Sequence, residues 1–330
     1  MTQSHRTHSR WWMSALLGIA FVAGIILVAT HYAEVVSLFG LLRKAKPSWL
    51  AAALIAQAGT YFTQAEIWRT VARKTGTLLP MSLLYKLALS KLFIDQAIPS
   101  AGVSGTVVVA KSLSNRGMSN GAVVAAVVIN TTSFFIAYVA ALAAALAIVL
   151  KSGHASSLIV SVSLLFMVIG VGLTAGMLAL TGKHFSHIPK RIQRFKFVQN
   201  ALKDARNANS SLVRNKRLQA VASFYQLLTF ILDAATLWML MRSLGGQPSF
   251  PGIFASFMIA NLFRSLSFIP GGLGTFEAAV VYMLRTAGAA YSIGLAAALL
   301  FRGITFFLPM APGMWFSHRL NRSGASGGKS

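Results

Sequence analysis

Leu262–Phe307 reads LFRSLSFIPGGLGTFEAAVVYMLRTAGAAYSIGLAAALLFRGITFF. An apolar segment runs to Ile269-Pro270, breaks at Gly271-Gly272-Leu273-Gly274 and restarts at Thr275-Phe276-Glu277. It then passes a glycine-marked turn and ends in a second apolar helix with Arg302 and Phe306-Phe307. Leu92–Phe135 follows the same plan, LFIDQAIPSAGVSGTVVVAKSLSNRGMSNGAVVAAVVINTTSFF, with Ile98-Pro99, a break ending at Gly105-Thr106 and a closing Phe134-Phe135. A Pro-Gly break inside apolar sequence exposes backbone groups that lipid cannot hydrogen-bond. It persists only where it is buried in protein or lines a polar cavity. Two matching breaks in two halves of a chain point to a transporter-like binding site. A duplication kept for packing alone explains the matching helices, but not why both breaks keep Pro and Gly.

Composition supports a membrane setting. The 330 residues are 55% hydrophobic and 11% charged, against roughly 25% charged in soluble domains. Apolar runs of about 20 residues recur, the length that crosses a bilayer as a helix. There are no cysteines, which excludes disulfides, thiolate nucleophiles and Cys-ligated metal. The net charge of +24 would suggest nucleic acid in a soluble protein. Here the basic residues fall mostly in loops, where the positive-inside bias accounts for them, and the expected contact is with anionic lipid headgroups.

The reading is all-α: a polytopic helical membrane protein of about six spanning helices with two re-entrant broken-helix hairpins in an inverted repeat. One integral membrane domain fills 1–330. The expected spans are 11–32, 48–68, 121–150, 157–181, 218–244 and 291–317. The first is read as a retained helix, because its apolar run is too long for a signal peptide and no A-x-A site follows. Trp49 and Trp68 bracket the second as interfacial aromatics, and Gly172-xxx-Gly176 offers a close-packing face in the fourth. The broken segments are 81–99 with 106–115, and 250–270 with 275–287. Repeat one covers about 48–150 and repeat two about 218–318, and the 320–330 tail is expected to be disordered. The polar loop 182–217 carries ten Lys/Arg and one acid, Asp204, which places it in the cytoplasm. Both termini then also lie inside, in a plasma (inner) membrane, and the two halves have inverted topology. Arg43, Lys44 and Lys46 oppose this arrangement, since it leaves them outside.

Ionisable groups within the membrane cost about 2.5–3.5 kcal/mol each and mark function by default. Lys91 and Asp95, spaced i,i+4 before the first break, share one helix face; they serve either as a self-neutralising pair or as a site. Lys111 lies beyond that break and either reaches the cavity or snorkels. Thr275 has the character of an N-cap, and Glu277 falls in the first turn, where a carboxylate suits the helix dipole. Arg302 is its natural partner, and Arg264 faces the cavity from the approaching limb. The breaks aim helix N-termini inward, and such ends bind anions. The candidate substrate-binding set is Lys91, Asp95, Pro99, Gly102, Gly105, Lys111, Arg264, Pro270, Gly271, Gly272, Gly274, Glu277 and Arg302. The charges do not match between repeats, so the expected site is asymmetric. Asp233 is either a proton site or a hydrogen-bonded buried residue, and Glu66 reads as interfacial beside Arg69.

Signals for an enzyme are poor. The histidines show no HExxH and no ligand spacing, so no metal and no cofactor are expected. Gly102-Val103-Ser104-Gly105 lacks the glycine spacing and base of a nucleophile elbow. Gly327-Gly328-Lys329-Ser330 has Ser323 where a P-loop has its first glycine.

IPSAGVSG, FIPGGLGTFE and LLFRGITFFLP together resemble the lysylphosphatidylglycerol synthase transmembrane family, the flippase-like membrane half of the multiple peptide resistance factor. The resemblance covers roughly residues 12–318. It implies a bundle with re-entrant helices from both faces that moves a lipid between leaflets. It also implies that Pro270, Gly271, Gly272, Gly274, Glu277 and Arg302, with Pro99, Gly102 and Gly105, belong to the site. Asn130-Thr131 stands where relatives carry an acidic-Arg pair, and the soluble synthase domain is missing. The expected function is translocation of an anionic, isoprenoid or glycolipid substrate, with membrane lipids as partners and no nucleic acid. The alternatives are a proton-coupled small-solute transporter using Asp95 or Asp233, and a non-enzymatic membrane partner of a lipid-modifying enzyme.

Overall fold

The computed structural model describes residues 45–97, 103–153, 155–180, 210–267 and 270–326, with Gly40 and Arg43 before them. Met1–Ala45 and Lys46–Ser330 are separate compact units, and every element below belongs to the second. The expected helix over 11–32, almost all of the basic loop, Pro99, Gly102 and residues 327–330 lie outside the described residues.

The elements are helical. α1 is Pro47–Lys74, α2 Met81–Ala97, α3 Val103–Ser114, α4 Asn120–Lys151, α5 Ser157–Leu180, α6 Ser210–Val213, α7 Lys216–Ser243 and α8 Phe250–Leu266. A 3-10 turn at Pro270–Gly272 leads to α9 Thr275–Thr286 and α10 Tyr291–Arg302. A π turn at Gly303–Phe307 then joins α11 Leu308–Ser326. The starts follow ordinary capping chemistry: the Asn215 side chain accepts from the Leu218 N–H at 3.1 Å, and the Ser249 hydroxyl accepts from Gly252 at 3.3 Å. Each satisfies a donor that a helix N-terminus otherwise leaves free.

Among the described residues four helices are long and apolar enough to cross a membrane: Asn120–Lys151, Ser157–Ala179, Lys216–Ser243 and Tyr291–Ser317. The expected span at 48–68 forms as the 28-residue α1, but Gln57, Thr60, Thr63 and Glu66 are buried along it, which dilutes its apolar character. Its polar groups face protein. Thr63 Oγ1 meets Thr229 Oγ1 at 2.7 Å. Gln64 Nε2 donates to Gln226 Oε1 at 3.0 Å, and Gln226 Nε2 reaches Asn130 Oδ1 at 3.4 Å. Hydrogen bonds of this kind join helices in lipid, where no hydrophobic force does so.

α1 and α7 run antiparallel along each other. Lys46 meets Ser243, Trp49 meets Trp238, Gly59 meets Leu232 and Gln64 meets Gln226, so numbering rises on one helix as it falls on the other. The packing repeats in the same sense across the two halves: α2 packs on α11, and α8 packs on α4. The α2–α11 contact is very close, for a Cβ added at Gly313 would lie 2.7 Å from the Leu89 carbonyl oxygen and from Phe93 Cβ. At the end where α1 finishes and α7 starts, Trp68, Val71, Leu84, Leu113, Ile129 and Leu218 form an apolar core.

Several expectations are corrected. Trp68 is 1% exposed, a core residue rather than an interfacial one. Gly172 and Gly176 are exposed, and a Cβ added at either would meet no atom within 4 Å, whereas Gly170 packs on Val139. α11 continues through the expected disordered tail to Ser326. Glu66 is buried, its charge met by Arg69 at 2.7 Å.

Candidate functional site

The second break is held by Arg302. Its Nε donates to Glu277 Oε1 at 2.6 Å, and its Nη2 donates to the carbonyls of Gly271 at 2.9 Å and Gly272 at 3.1 Å. The guanidinium lies over Phe276, 4.6 Å from the ring centroid, and over Phe306 at 5.7 Å. Its side chain is 7% exposed. The arginine therefore supplies donors to carbonyls that the break takes out of the helical ladder, which answers the requirement for internal satisfaction in lipid.

The other Glu277 oxygen closes the break from the opposite side. Oε2 accepts from the Gly274 N–H at 2.7 Å. Gly274, not Thr275, is the N-cap of α9, which corrects the expectation. Thr275 is the first helical residue, and its hydroxyl donates to the Gly272 carbonyl at 2.9 Å. Gly271 and Gly272 have φ of 64° and 63°, where an L side chain is strained. Both also lack room: a Cβ at Gly271 would strike the Phe306 ring, and one at Gly272 the Arg264 side chain.

The first break carries the same lock from different parts. Lys91 Nζ lies 2.6 Å from Asp95 Oδ2, and Asp95 Oδ1 accepts from the Gly105 N–H at 2.9 Å. Gly105 aligns with Gly274, as each precedes the threonine that follows its break. The carboxylate comes from before the break in repeat one and from after it in repeat two. No position-by-position alignment pairs Asp95 with Glu277, so sequence reading missed their equivalence. A Cβ on Gly105 would lie 2.5 Å from both Asp95 Oδ1 and the Lys91 carbonyl oxygen.

The helix leading into the first break meets the second. α2 touches the Pro270–Gly272 turn, and Gln96 Nε2 reaches the Thr305 carbonyl in the π turn at 3.5 Å. Such turns free a carbonyl and recur at functional sites. Gly303 just after Arg302 was the sequence signal for it. Beside the Glu277 lock is a cleft of about 310 Å³ lined by Glu277, Ala278, Val281, Tyr282, Arg285, Tyr291 and Leu295. Its size matches the lower range of small-ligand sites.

The remaining candidates are spread more widely. Arg264 is exposed on α8, its Nε donating to Asn261 Oδ1 at 2.7 Å, and its stem covers Gly272. Lys111 is exposed on α3 and does not join the lock. Asp233 on α7 faces Gln57 of α1, with Arg264 the cation acting on it. Asn130 is part of the α1–α7–α4 ladder.

Comparison with known proteins agrees with this architecture. The chain matches the sequence model of the lysylphosphatidylglycerol synthase TM region over residues 15–313. It is also 30% identical over 91 residues to a UPF0104 membrane protein of Methanothermobacter thermautotrophicus. That match covers 28% of this chain and 27% of the relative. The chain belongs to the lysylphosphatidylglycerol synthase TM region family.

Proposed function

We propose that this member of the family is a membrane lipid translocator. It would move a lipid with an anionic, isoprenoid or glycosyl headgroup between leaflets past the two breaks. The observation that carries this reading is the paired lock, Asp95 on Gly105 and Glu277 on Gly274. In each repeat one carboxylate holds the end of a broken helix and is neutralised by a cation. Such a device keeps polar backbone at membrane depth without exposing it to acyl chains. The cleft beside Glu277 has room for a headgroup, with Arg285 as a cation on its wall, while the lipid tails stay in the bilayer. The antiparallel α1–α7 contact supports an inverted repeat, in which two packings of similar halves exchange access.

The test is flipping of a fluorescent phospholipid in reconstituted vesicles, read by chemical quenching of the outer leaflet. Arg302→Ala and Glu277→Gln are each expected to slow flipping about tenfold or more, as one lost charge-assisted bond implies. Wild-type rates in both variants would remove the second break from the path. The topology in this reading has the basic loop in the cytoplasm, so a Lys203→Cys variant should label from that side alone. Asp233 favours a second reading, proton-coupled solute transport, because no ion pair reaches it among the described residues. That reading requires uptake that depends on a pH gradient and disappears in Asp233→Asn.

A further inference from the structure

α7 ends with Arg242-Ser243, and α1 begins beside it, the Lys46 N–H donating to the Ser243 carbonyl at 2.9 Å. Arg242 is held there by aromatic faces. Its Cζ lies 5.2 Å from the Trp238 ring centroid and 6.0 Å from that of Trp49. The two indoles meet edge to face at 5.4 Å and 89°. Trp238 is itself fixed, its Nε1 donating to the Pro248 carbonyl at 3.1 Å and its ring against Phe250.

Arg69, Arg116, Arg264 and Arg302 each donate to an oxygen, and Arg73, Arg214, Arg217 and Arg285 are exposed, whereas Arg242 is partly buried. The Arg242 side chain makes no hydrogen bond or ion pair among the described residues, and its buried Nε is unsatisfied. A guanidinium has five donors in one plane, and contact with the Trp49 and Trp238 rings satisfies none of them as a hydrogen bond to oxygen would. A buried donor without a partner is costly, so an acceptor from outside the described chain is the physical completion of this arrangement. The four acids among the described residues, Glu66, Asp95, Asp233 and Glu277, are engaged or placed elsewhere. Local charge favours an anion: Lys46 is exposed next to Arg242, and no side chain caps the N-terminus of α1. The negative end of α7 acts in this same turn, where it favours the Arg242 cation and opposes an anion.

We propose that Arg242, together with Lys46, binds a phosphate group at this end of the α1–α7 pair, and that the phosphate is that of a membrane lipid. Planar guanidinium fits two phosphate oxygens at once. The paired tryptophans favour a lipid source, because such rings anchor at the headgroup level. Free phosphate shares the chemistry and must be distinguished by experiment. This site uses none of the residues of the breaks and stands independently of translocation.

The test uses the full chain in mild detergent and native mass spectrometry. The probes are phosphatidylglycerol and a phosphate-free galactosyl diacylglycerol with the same acyl chains. Wild type is expected to retain the phospholipid about tenfold over the glycolipid, a ratio in keeping with charge-assisted bonding. Arg242→Gln should abolish that preference. Arg242→Lys should keep only part of it, since an ammonium lacks the fork. Lys46→Gln, a change at an exposed side chain, should lower it by a smaller factor and guards against misfolding of the first variant. Inorganic phosphate that displaces the lipid from wild type is expected of one shared site. Phosphate binding that needs Arg242 without any lipid preference would overturn the lipid source. An unchanged lipid preference in Arg242→Gln, or in both Arg242→Lys and Lys46→Gln, would overturn the site.

Discussion

Gly105 and Gly274 are partners in design: each donates its backbone N–H to a carboxylate, at 2.9 Å and 2.7 Å, whose other oxygen is ion-paired. Lys91 pairs Asp95 in the first case and Arg302 pairs Glu277 in the second. The two halves share the electrostatic arrangement while drawing its residues from different helices.

Arg302→Ala should destabilise more than Glu277→Gln. The first leaves the partly buried Glu277 carboxylate without its cation and the Gly271 carbonyl without its donor, a loss of about 3–5 kcal/mol. The second keeps an acceptor for Arg302 and costs about 1–2 kcal/mol. Thermal unfolding in detergent gives both values. The double variant Arg302→Met with Glu277→Leu should recover only part of the loss, because the Gly271 carbonyl and the Gly274 N–H lose their partners. Full recovery would show that these backbone contacts contribute nothing.

Gly105→Ala should be severe although Gly105 has no special φ. Its Cβ would meet the Lys91 carbonyl and Asp95 at 2.5 Å, so α2 and α3 must separate. Gly117→Ala is the control: its φ is 86° with open space around it, and only local strain of about 1–2 kcal/mol is expected. Limited proteolysis and melting should rank Gly105→Ala well below Gly117→Ala; the reverse order would mean that the close approach of α2 and α3 is not needed.

Thr63→Cys with Thr229→Cys should form a disulfide in the otherwise cysteine-free chain, since the two hydroxyls are 2.7 Å apart. Ala53→Cys with Ala222→Cys should not, because antiparallel α1 and α7 place these positions far apart. Cross-linking is read by mobility after cleavage between the helices. The opposite pattern would refute the antiparallel repeat.

Gln226→Leu should be the most costly single change in the α1–α7–α4 ladder, because Gln226 bonds both Gln64 and Asn130. Membrane interhelical bonds average about 0.6 kcal/mol and reach about 1.7 kcal/mol. A value near the upper figure is expected, and Thr229→Val should fall below it. A loss several times larger would mean that the ladder supports more than helix association.

The apolar runs and the Pro-Gly breaks determined the helical membrane class, the bounds of α4, α5, α7 and the paired hairpins, and the Glu277–Arg302 pair. Each of these follows from local chemistry, since lipid forbids unpaired backbone and a lone buried cation needs an anion. Tertiary structure decided what periodicity could not carry. Trp68 went to the core because α2, α3 and α4 close over the end of α1. Gly313 became a contact point because α11 folds back on α2. Asp95 took the role of Glu277 because the break returns Gly105 to the helix it left. Arg242 gained its aromatic cradle because antiparallel packing brings Trp49 to the far end of α7. Spacing along a chain fixes what one helix presents, whereas which polar groups meet across helices depends on how those helices pack.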